Sequence, residues 1–490
     1  MTQTLIIVSS YDPGYLRIAE HLVVTATSGG RIPIVLDISE RSASAVDSYH
    51  RGILRLFGLS YPGHDLEKRL GARGAIVLHI NDVLREAPEV ELSERNKSEL
   101  ELAVRSALIT LYRTESPDER KRSVVRTRAL LEIEGNSVYR ALSHLLREHR
   151  DILEVDVPNG RFPNQKMATL AARDSSVKTM HFEKGETPNG AYLQSYSPQS
   201  RLVSQANVEP VLEGLTLEQT DSIADEWLRH RIPSKDSRNE FSALWKDGLP
   251  EAFARESQRR SGIAGFFTSS QDEYHSLGPE WQLHSWKDQF EAFDAAIGVL
   301  EKAGYLCYLR VHPNLATKAQ DSFKTERDGI RRLQKSHSNL LIIWHDDFAN
   351  TYALLDQTNL VVAWDSTVGL EASARGIPVW TMAASRYGVT ADIREVLSST
   401  ALGEHGLVPW QVNAHAAKRF IAYLVRRDSQ MPENPGRWEP WPVGRTSAGV
   451  MLSRIPTSGG NPTPSAAIRS LIDVYRHRSL KSNLRSILHR

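Results

Sequence analysis

The feature that most constrains the fold is a regular alternation of short apolar runs with amphipathic stretches, which occurs in both halves of the chain. In the first half, apolar runs at Thr4–Ser9, Ile32–Leu36 and Ala75–His79 are separated by segments with helical spacing. Comparable runs in the second half begin at Ile263, Tyr305, Leu340, Leu360 and Ile377. A repeated strand–helix–strand pattern predicts a parallel sheet with helices on both faces. We therefore predict an α/β protein with two Rossmann-like domains facing a cleft.

The length of 490 residues suits two domains of this kind. We predict an N-terminal domain over residues 1–250, with a helical insertion at about 93–150, where apolar residues recur at helical spacing. A C-terminal domain over residues 251–430 follows, and residues 431–490 are predicted to form a Pro-rich connector and a terminal basic helix. This layout resembles that of GT-B cleft enzymes, and the resemblance would imply that the C-terminal domain holds a donor nucleotide and the N-terminal domain receives the acceptor.

Composition and motifs exclude several classes of function. The chain has 60 Lys and Arg residues against 59 Asp and Glu residues, and so lacks the basic excess typical of nucleic-acid binding. A Gly-x-Gly-x-x-Gly motif after the first strand and a Walker A motif are both missing, which disfavours dinucleotide dehydrogenases and P-loop enzymes. No secretory signal or long apolar run is visible, so we predict a cytoplasmic protein.

Polar side chains follow two strands of the predicted C-terminal sheet. His312 comes just after the strand that ends with Arg310, and we expect both side chains at a phosphate site. Ser366 and Thr367 open a helix directly after a later strand, where free backbone amides bind anions. Glu371, one turn farther along, is a candidate for accepting hydrogen bonds from ribose hydroxyls. The structural alternatives are a turn histidine, an N-cap and a helix-dipole partner.

Hydroxyl and carboxylate side chains follow the first strand of the C-terminal domain as well. Ser269 and Ser270 are candidates for binding phosphate or a donor carboxylate. The carboxylate that comes next, either Asp272 or Glu273, is a candidate for attacking an anomeric carbon or stabilising an oxocarbenium-like transition state. Spacing alone favours the alternative that this acidic pair opens a helix.

The N-terminal domain contributes candidates from the opposite side of the cleft. Asn159 and Arg161 follow one strand, and Arg161 is placed to pair with an anionic acceptor or a donor carboxylate. Glu183 follows the next strand and is a candidate general acid or base. Asp12, after the first strand, is a second candidate base, although turn formation before Pro13 explains it as well.

Five short motifs occur in one order along the chain: Asn159-Gly-Arg161, His181-Phe-Glu183-Lys-Gly185, Phe267-Thr-Ser-Ser-Gln-Asp-Glu273, Arg310-Val-His-Pro313 and Asp365-Ser-Thr-Val-Gly-Leu-Glu371. Over about residues 150–385, this series resembles bacterial capsule polysaccharide biosynthesis proteins, in particular the Kdo-transferase group of GT-B fold. The resemblance implies that Asp272 is a covalent nucleophile and that Glu183 is the acid/base. It also implies that His312 holds the phosphate of a CMP-activated donor.

These observations predict a metal-independent glycosyltransferase without a cofactor. Its partners would be a nucleotide-sugar donor, with CMP-Kdo as a candidate, and a surface-polysaccharide or lipid-linked glycan acceptor. One alternative is a CDP-polyol phosphotransferase, and another is a non-catalytic glycan- or nucleotide-binding scaffold of capsule assembly. The basic segment from Tyr475 to Arg490 is a candidate for peripheral contact with the inner membrane face, or else for packing on the N-terminal domain.

Overall fold

The structure is a computed structural model that describes residues 2–9, 13–39, 63–187, 190–231, 253, 255–256, 260–312, 315, 320–347, 349–405, 408, 410–429 and 431. Several predicted features lie outside these residues, namely Asp12, the side chain of Glu273, the domain boundary near residue 250, and the connector and terminal helix beyond residue 431. Within the described ranges, no helix is long and apolar enough to cross a membrane.

The first sheet has six strands among the described residues, in the order β3-β2-β1-β4-β5-β6. They are β1 (Gln3–Val8), β2 (Ile32–Asp37), β3 (Ile76–His79), β4 (Ile152–Pro158), β5 (Lys178–Lys184) and β6 (Ala191–Gln194). All neighbours are parallel except β5 and β6, which form an antiparallel pair. The first helices of the domain are α1 (Pro13–Ser28), α2 (Gly63–Gly71) and α3 (Ile80–Glu86).

The predicted insertion is helical and packs on this sheet. It contains α4 (Glu94–Tyr112) and α5 (Arg122–Glu148), and α6 (Pro163–Asp174) follows β4. Ser93 caps α4, since its hydroxyl oxygen accepts a hydrogen bond from the amide of Asn96 at 3.2 Å. The apolar face that the spacing indicates, including Leu100, Val104 and Leu108, is buried in the core cluster of the first domain. Packing of this amphipathic face stabilises the insertion.

The second sheet, counted over the same described ranges, also has six strands, in the order β12-β11-β10-β7-β8-β9. They are β7 (Gly262–Phe267), β8 (Tyr305–Arg310), β9 (Leu341–Ile343), β10 (Leu360–Ala363), β11 (Val379–Thr381) and β12 (Arg394–Glu395). All neighbouring pairs are parallel. Three helices precede this sheet, α7 (Arg201–Ala206), α8 (Val208–Leu212) and α9 (Leu217–Arg231). The others are α10 (Gln271–His275), α11 (Gln289–Lys302), α12 (Gln320–Ser336), α13 (Thr351–Leu355), α14 (Thr367–Ala374), α15 (Ser399–His405) and α16 (Ala414–Asp428).

The central strands of the second sheet are apolar along their whole length because packed side chains cover both faces. All six residues of β7 are buried. On one face Phe266 packs edge-on against Phe293, with ring centroids 5.4 Å apart. On the other face Phe267 packs edge-on against Tyr308 at 6.0 Å. Two aromatic-rich cores therefore fix β7 in the middle of the sheet.

The end of the described chain returns to the first domain. Helix α16 packs with α8 and α9 in a core cluster of the second sheet. At its last residue, an Asp428 carboxylate oxygen accepts a hydrogen bond from the amide of Thr187 at 2.9 Å. Met431 packs with the first domain's apolar residues. Helix α16 thus contacts both domains.

The structure confirms the predicted α/β class, with two Rossmann-like domains and a helical insertion in the first. Two strands were not predicted. Strand β6 is four residues long and pairs only with β5, and β12 is the two polar residues Arg394–Glu395 at the sheet edge. Segments this short carry too little alternation to be recognised from sequence.

Candidate functional site

A cavity of about 410 Å³ lies between the two domains, at the carboxyl ends of the second sheet's strands. Its volume is within the range of small-molecule sites. The central strand β7 continues to β8 on one side and neighbours β10 on the other, which is the arrangement that opens a ligand crevice in α/β sheets. Seven of the predicted site residues line it: Arg161, Ser269, Ser270, Asp272, His312, Ser366 and Thr367.

Three consecutive hydroxyls after β7 tie the neighbouring strand ends together. The Thr268 hydroxyl oxygen accepts a hydrogen bond from the amide of His312 at 2.8 Å, which fixes the backbone after β8. The Ser269 hydroxyl donates to the carbonyl of Asp365 at 2.7 Å and accepts from the Asp365 amide at 3.2 Å, which fixes the end of β10. The Ser270 hydroxyl donates to Asp272 at 2.8 Å. These buried hydroxyls therefore position the cavity wall.

The start of helix α14 presents backbone amides at the cavity. Ser366 is the N-cap, and its hydroxyl oxygen accepts from the amide of Val368 at 3.4 Å. The Tyr387 hydroxyl donates to the Ser366 carbonyl, which holds the turn from the other side. Thr367 is exposed on the cavity wall. Amides at a helix start, together with the helix dipole, favour an anion at this position.

Gly369 allows Tyr387 to lie against the first turn of α14. A Cβ at position 369 would lie 2.7 Å from the Tyr387 hydroxyl oxygen and 3.3 Å from Cγ1 of Val379. We expect Gly369→Ala to displace Tyr387 and to lower the free energy of unfolding by about 1–3 kcal/mol, measured by urea titration. Gly403→Ala in α15 is the matched control, because a Cβ there meets nothing within 4 Å. Equal stability of the two variants would contradict this packing role.

The carboxylate of Asp272 is held by residues of both domains. It is buried, and besides the Ser270 hydroxyl it lies 3.3 Å from a guanidinium nitrogen of Arg113. Arg113 ends helix α4 in a left-handed conformation (φ 51°, ψ 42°), so the helical insertion delivers this cation to the cavity. Sequence reasoning missed Arg113, because the contact joins positions 159 residues apart in the chain.

Further contacts between the domains close the cavity on two sides. Arg161 donates to the hydroxyl of Ser276, and the Ser106 hydroxyl donates to the carbonyl of Ser276 at 2.7 Å. On the other side, Arg386 donates to Glu186 at 3.3 Å. Arg386 and Glu186 also line the cavity. The chamber therefore has walls from both domains and carries charges of both signs.

Two more cavity residues, Asp365 and Tyr274, were not among the predicted site residues. Burial raises the pKa of Asp365 to about 7, with Glu395 adding to the rise and Arg386 and Arg201 opposing it. Burial also raises the pKa of the Tyr274 hydroxyl, and Asp365 adds to that rise. Asp365 stands at a strand end, directly before the N-cap of the next helix. This position in the sequence could have identified it as a cavity residue.

Glu183 and Asn159 meet at the carboxyl end of the first sheet, outside the cavity lining. Glu183 accepts hydrogen bonds from the hydroxyl of Tyr15, the side-chain amide of Asn159 and, at 2.9 Å, the backbone amide of Lys184. Asn159 itself is left-handed (φ 54°). These donors fix one orientation of the Glu183 carboxylate, and the structure does not bring it together with Asp272 on one cavity wall.

Arg310 and Glu371 lie outside the cavity lining, and their side chains bind other groups of the protein. Buried Arg310 donates to the backbone carbonyl of Trp344. Glu371 is also buried; it accepts from Arg231 at 2.8 Å and from the Tyr352 hydroxyl at 2.7 Å. Both carboxylate oxygens of Glu371 are thus engaged by protein groups, and the geometry gives no support to its predicted contact with ribose.

Comparisons with known proteins give distant structural likenesses. No family model and no curated protein matches the chain. Among solved structures, a β-Kdo 2,4 transferase, KpsC of Thermosulfurimonas dismutans, is 13% identical with a TM-score of 0.36, covering 56% of this chain and 80% of its own. The β-Kdo 2,7 transferase of the same KpsC is 12% identical with a TM-score of 0.34, covering 58% and 79%.

A UDP-GlcNAc 2-epimerase of Neisseria meningitidis, bound to UDP-GlcNAc, is also similar. It is 11% identical with a TM-score of 0.30, and the match covers 87% of this chain and 97% of the epimerase.

Proposed function

We propose that this protein is a glycosyltransferase that binds a nucleotide-activated sugar in the cavity between its domains and transfers the sugar to a glycan hydroxyl. One observation carries the proposal: a strand-end histidine and a helix start from the second domain line the same cavity as two arginines from the first. The histidine and the helix start provide hydrogen-bond donors for a phosphate, and the two arginines provide cations for an anionic substrate.

The phosphate of the donor would lie between His312 and the start of helix α14. The imidazole and the amides of Ser366 and Thr367 belong to two strand ends that are fixed to β7 through hydroxyl hydrogen bonds. Donors held rigidly in this way stabilise charge without reorganisation as it develops on the departing phosphate. His312 and the helix start would thus assist cleavage of the bond between the anomeric carbon and the phosphate oxygen.

The sugar would occupy the space between this phosphate site and the first domain. Asp272 is the fixed carboxylate on that wall, and we propose that it faces the anomeric carbon. Arg113 and Arg161 would bind anionic groups of the donor or acceptor from the opposite side. The electron pair of the broken bond passes to the phosphate, and the acceptor oxygen forms the new bond and gives up its proton to water. Glu183 has no assigned contact with the donor here.

A donor panel tests the proposal. The folded protein is incubated with CMP-, UDP- and GDP-sugars and with a CDP-activated polyol, in the presence of lipid-linked and polysaccharide acceptors, and released nucleotide is measured by chromatography. We expect one nucleotide to be released in an acceptor-dependent manner, with a product mass equal to acceptor plus sugar. Product containing added phosphorus would instead indicate polyol-phosphate transfer. Donor binding without turnover under any of these conditions would contradict the enzymatic proposal.

A further inference from the structure

The carboxylate of Asp365 lines the cavity beside the proposed phosphate site. Its backbone is fixed by Ser269, but its side chain forms no hydrogen bond or ion pair with any described residue. It lines the cavity immediately before Ser366 and Thr367. An ionised carboxylate here would face the negative charge of a bound phosphate, which is electrostatically unfavourable.

The residues near Asp365 come from several segments of both domains. Helix α10 contributes Tyr274, whose buried hydroxyl donates its proton to no described residue. The charged and titratable groups that face Asp365 are the two arginines Arg201 and Arg386, together with Glu395, Tyr387 and Tyr274. Its cavity also contains Arg113, Arg161, Asp272, His312 and Glu186.

Of the two arginines, Arg201 is already bound to Glu395 at 3.1 Å, and Arg386 to Glu186 at 3.3 Å. Their charges therefore only partly offset the cost of burying the Asp365 carboxylate, and the neutral and ionised forms are close in free energy near neutral pH. A neutral carboxyl group carries a proton that it can donate to an oxygen acceptor.

We propose that Asp365 takes up a proton when a donor phosphate enters the cavity and then donates a hydrogen bond to a phosphate oxygen. The proton comes from solvent and forms the O–H bond of the neutral carboxyl group, and no bond between heavy atoms of donor or protein changes in this step. The inference rests on the proposed function and deepens it, since it makes donor binding depend on pH through one named group.

Donor affinity is expected to fall as the pH rises. The fraction of Asp365 that is protonated falls as pH rises through about 7 in the free protein. If only that fraction binds donor, affinity falls by up to about 100-fold between pH 6 and pH 9. At acidic pH the group is already protonated, and no proton is taken up.

Isothermal titration calorimetry at pH 7.5 tests this, with buffers of different ionisation enthalpy. The probes are UDP-N-acetylglucosamine, GDP-mannose and CMP-N-acetylneuraminate, whose phosphates do not titrate near neutral pH. For the probe that binds, we expect the wild type to take up about 0.8 protons per site, the fraction of Asp365 that is ionised at this pH in the free protein. Asp365→Asn should bind the probe with no uptake and little pH dependence. His312→Gln, with weaker binding, should retain the uptake and thereby separate the two titratable groups.

The possible results distinguish a failure of the role of Asp365 from a failure of the proposed function. Binding by the wild type without proton uptake and with the same affinity at pH 6 and pH 9 would overturn the role of Asp365 but leave the proposed function intact. Uptake that persists in Asp365→Asn and is lost in His312→Gln would move the proton to the imidazole and also overturn it. Binding of none of the probes would contradict the proposed function itself. The wild-type pH series needs no variant, so a misfolded Asp365→Asn protein would not prevent the test.

Discussion

Replacement of His312 by alanine is expected to reduce kcat/KM for the nucleotide-sugar donor by about 100- to 1,000-fold, the effect of removing one preorganised donor from a developing oxyanion. The imidazole lines the cavity at a backbone position that the Thr268 hydroxyl fixes at 2.8 Å. The hydrogen bond to Thr268 should persist in the variant, because it uses the amide of residue 312 and not its ring. Initial rates over a range of donor concentrations would separate the change in kcat from that in KM.

His230→Ala is the matched control for this experiment. His230 is 76% exposed on helix α9, away from the cavity lining, and its removal should leave kcat/KM unchanged. Wild-type donor affinity and turnover in His312→Ala would show that the phosphate does not bind at this strand end.

Replacement of Glu371 by alanine is expected to have the largest effect on stability, a loss of about 3 kcal/mol in the free energy of unfolding. The carboxylate is 2% exposed and holds both Arg231 and the hydroxyl of Tyr352, so alanine leaves a largely buried cation and a buried phenol without their acceptor. Urea titration would measure the loss. Under conditions in which the variant is folded, donor affinity should equal that of the wild type.

Two further variants separate this buried ion pair from simple loss of a charge. Glu209→Ala removes a surface partner of Arg419 that is 73% exposed, and should cost about 1 kcal/mol or less. Arg231→Met combined with Glu371→Ala should recover part of the single-variant loss, because neither charge is then left unpaired. Wild-type stability together with lost donor affinity in Glu371→Ala would restore the ribose role that the sequence predicted.

The fold and about a third of the residues that line the cavity could be predicted from the sequence, because both follow from local pattern. Apolar runs of strand length mark the sheets, and the carboxyl ends of parallel strands necessarily share one edge. His312, Ser366 and Ser270 each stand a few residues after such a run. Their common location therefore needs no knowledge of distant contacts.

The rest of the site could not be predicted, because it depends on contacts between residues that are far apart in the chain. Glu371 and Arg310 have the spacing of site residues, yet Arg231 and the Trp344 carbonyl engage them instead. Arg113 reaches the cavity only because the helical insertion packs over the second domain. Spacing along the sequence carries no information about such pairs.

The most direct test of the central claim is a crystal structure of the protein with the nucleotide product or donor that it binds most tightly. We expect the phosphate within hydrogen-bond distance of the His312 imidazole and of the backbone amides that begin at Thr367, with the sugar side facing Asp272 and Arg113. A nucleotide bound elsewhere, with this cavity empty of it at saturating concentration, would contradict the account.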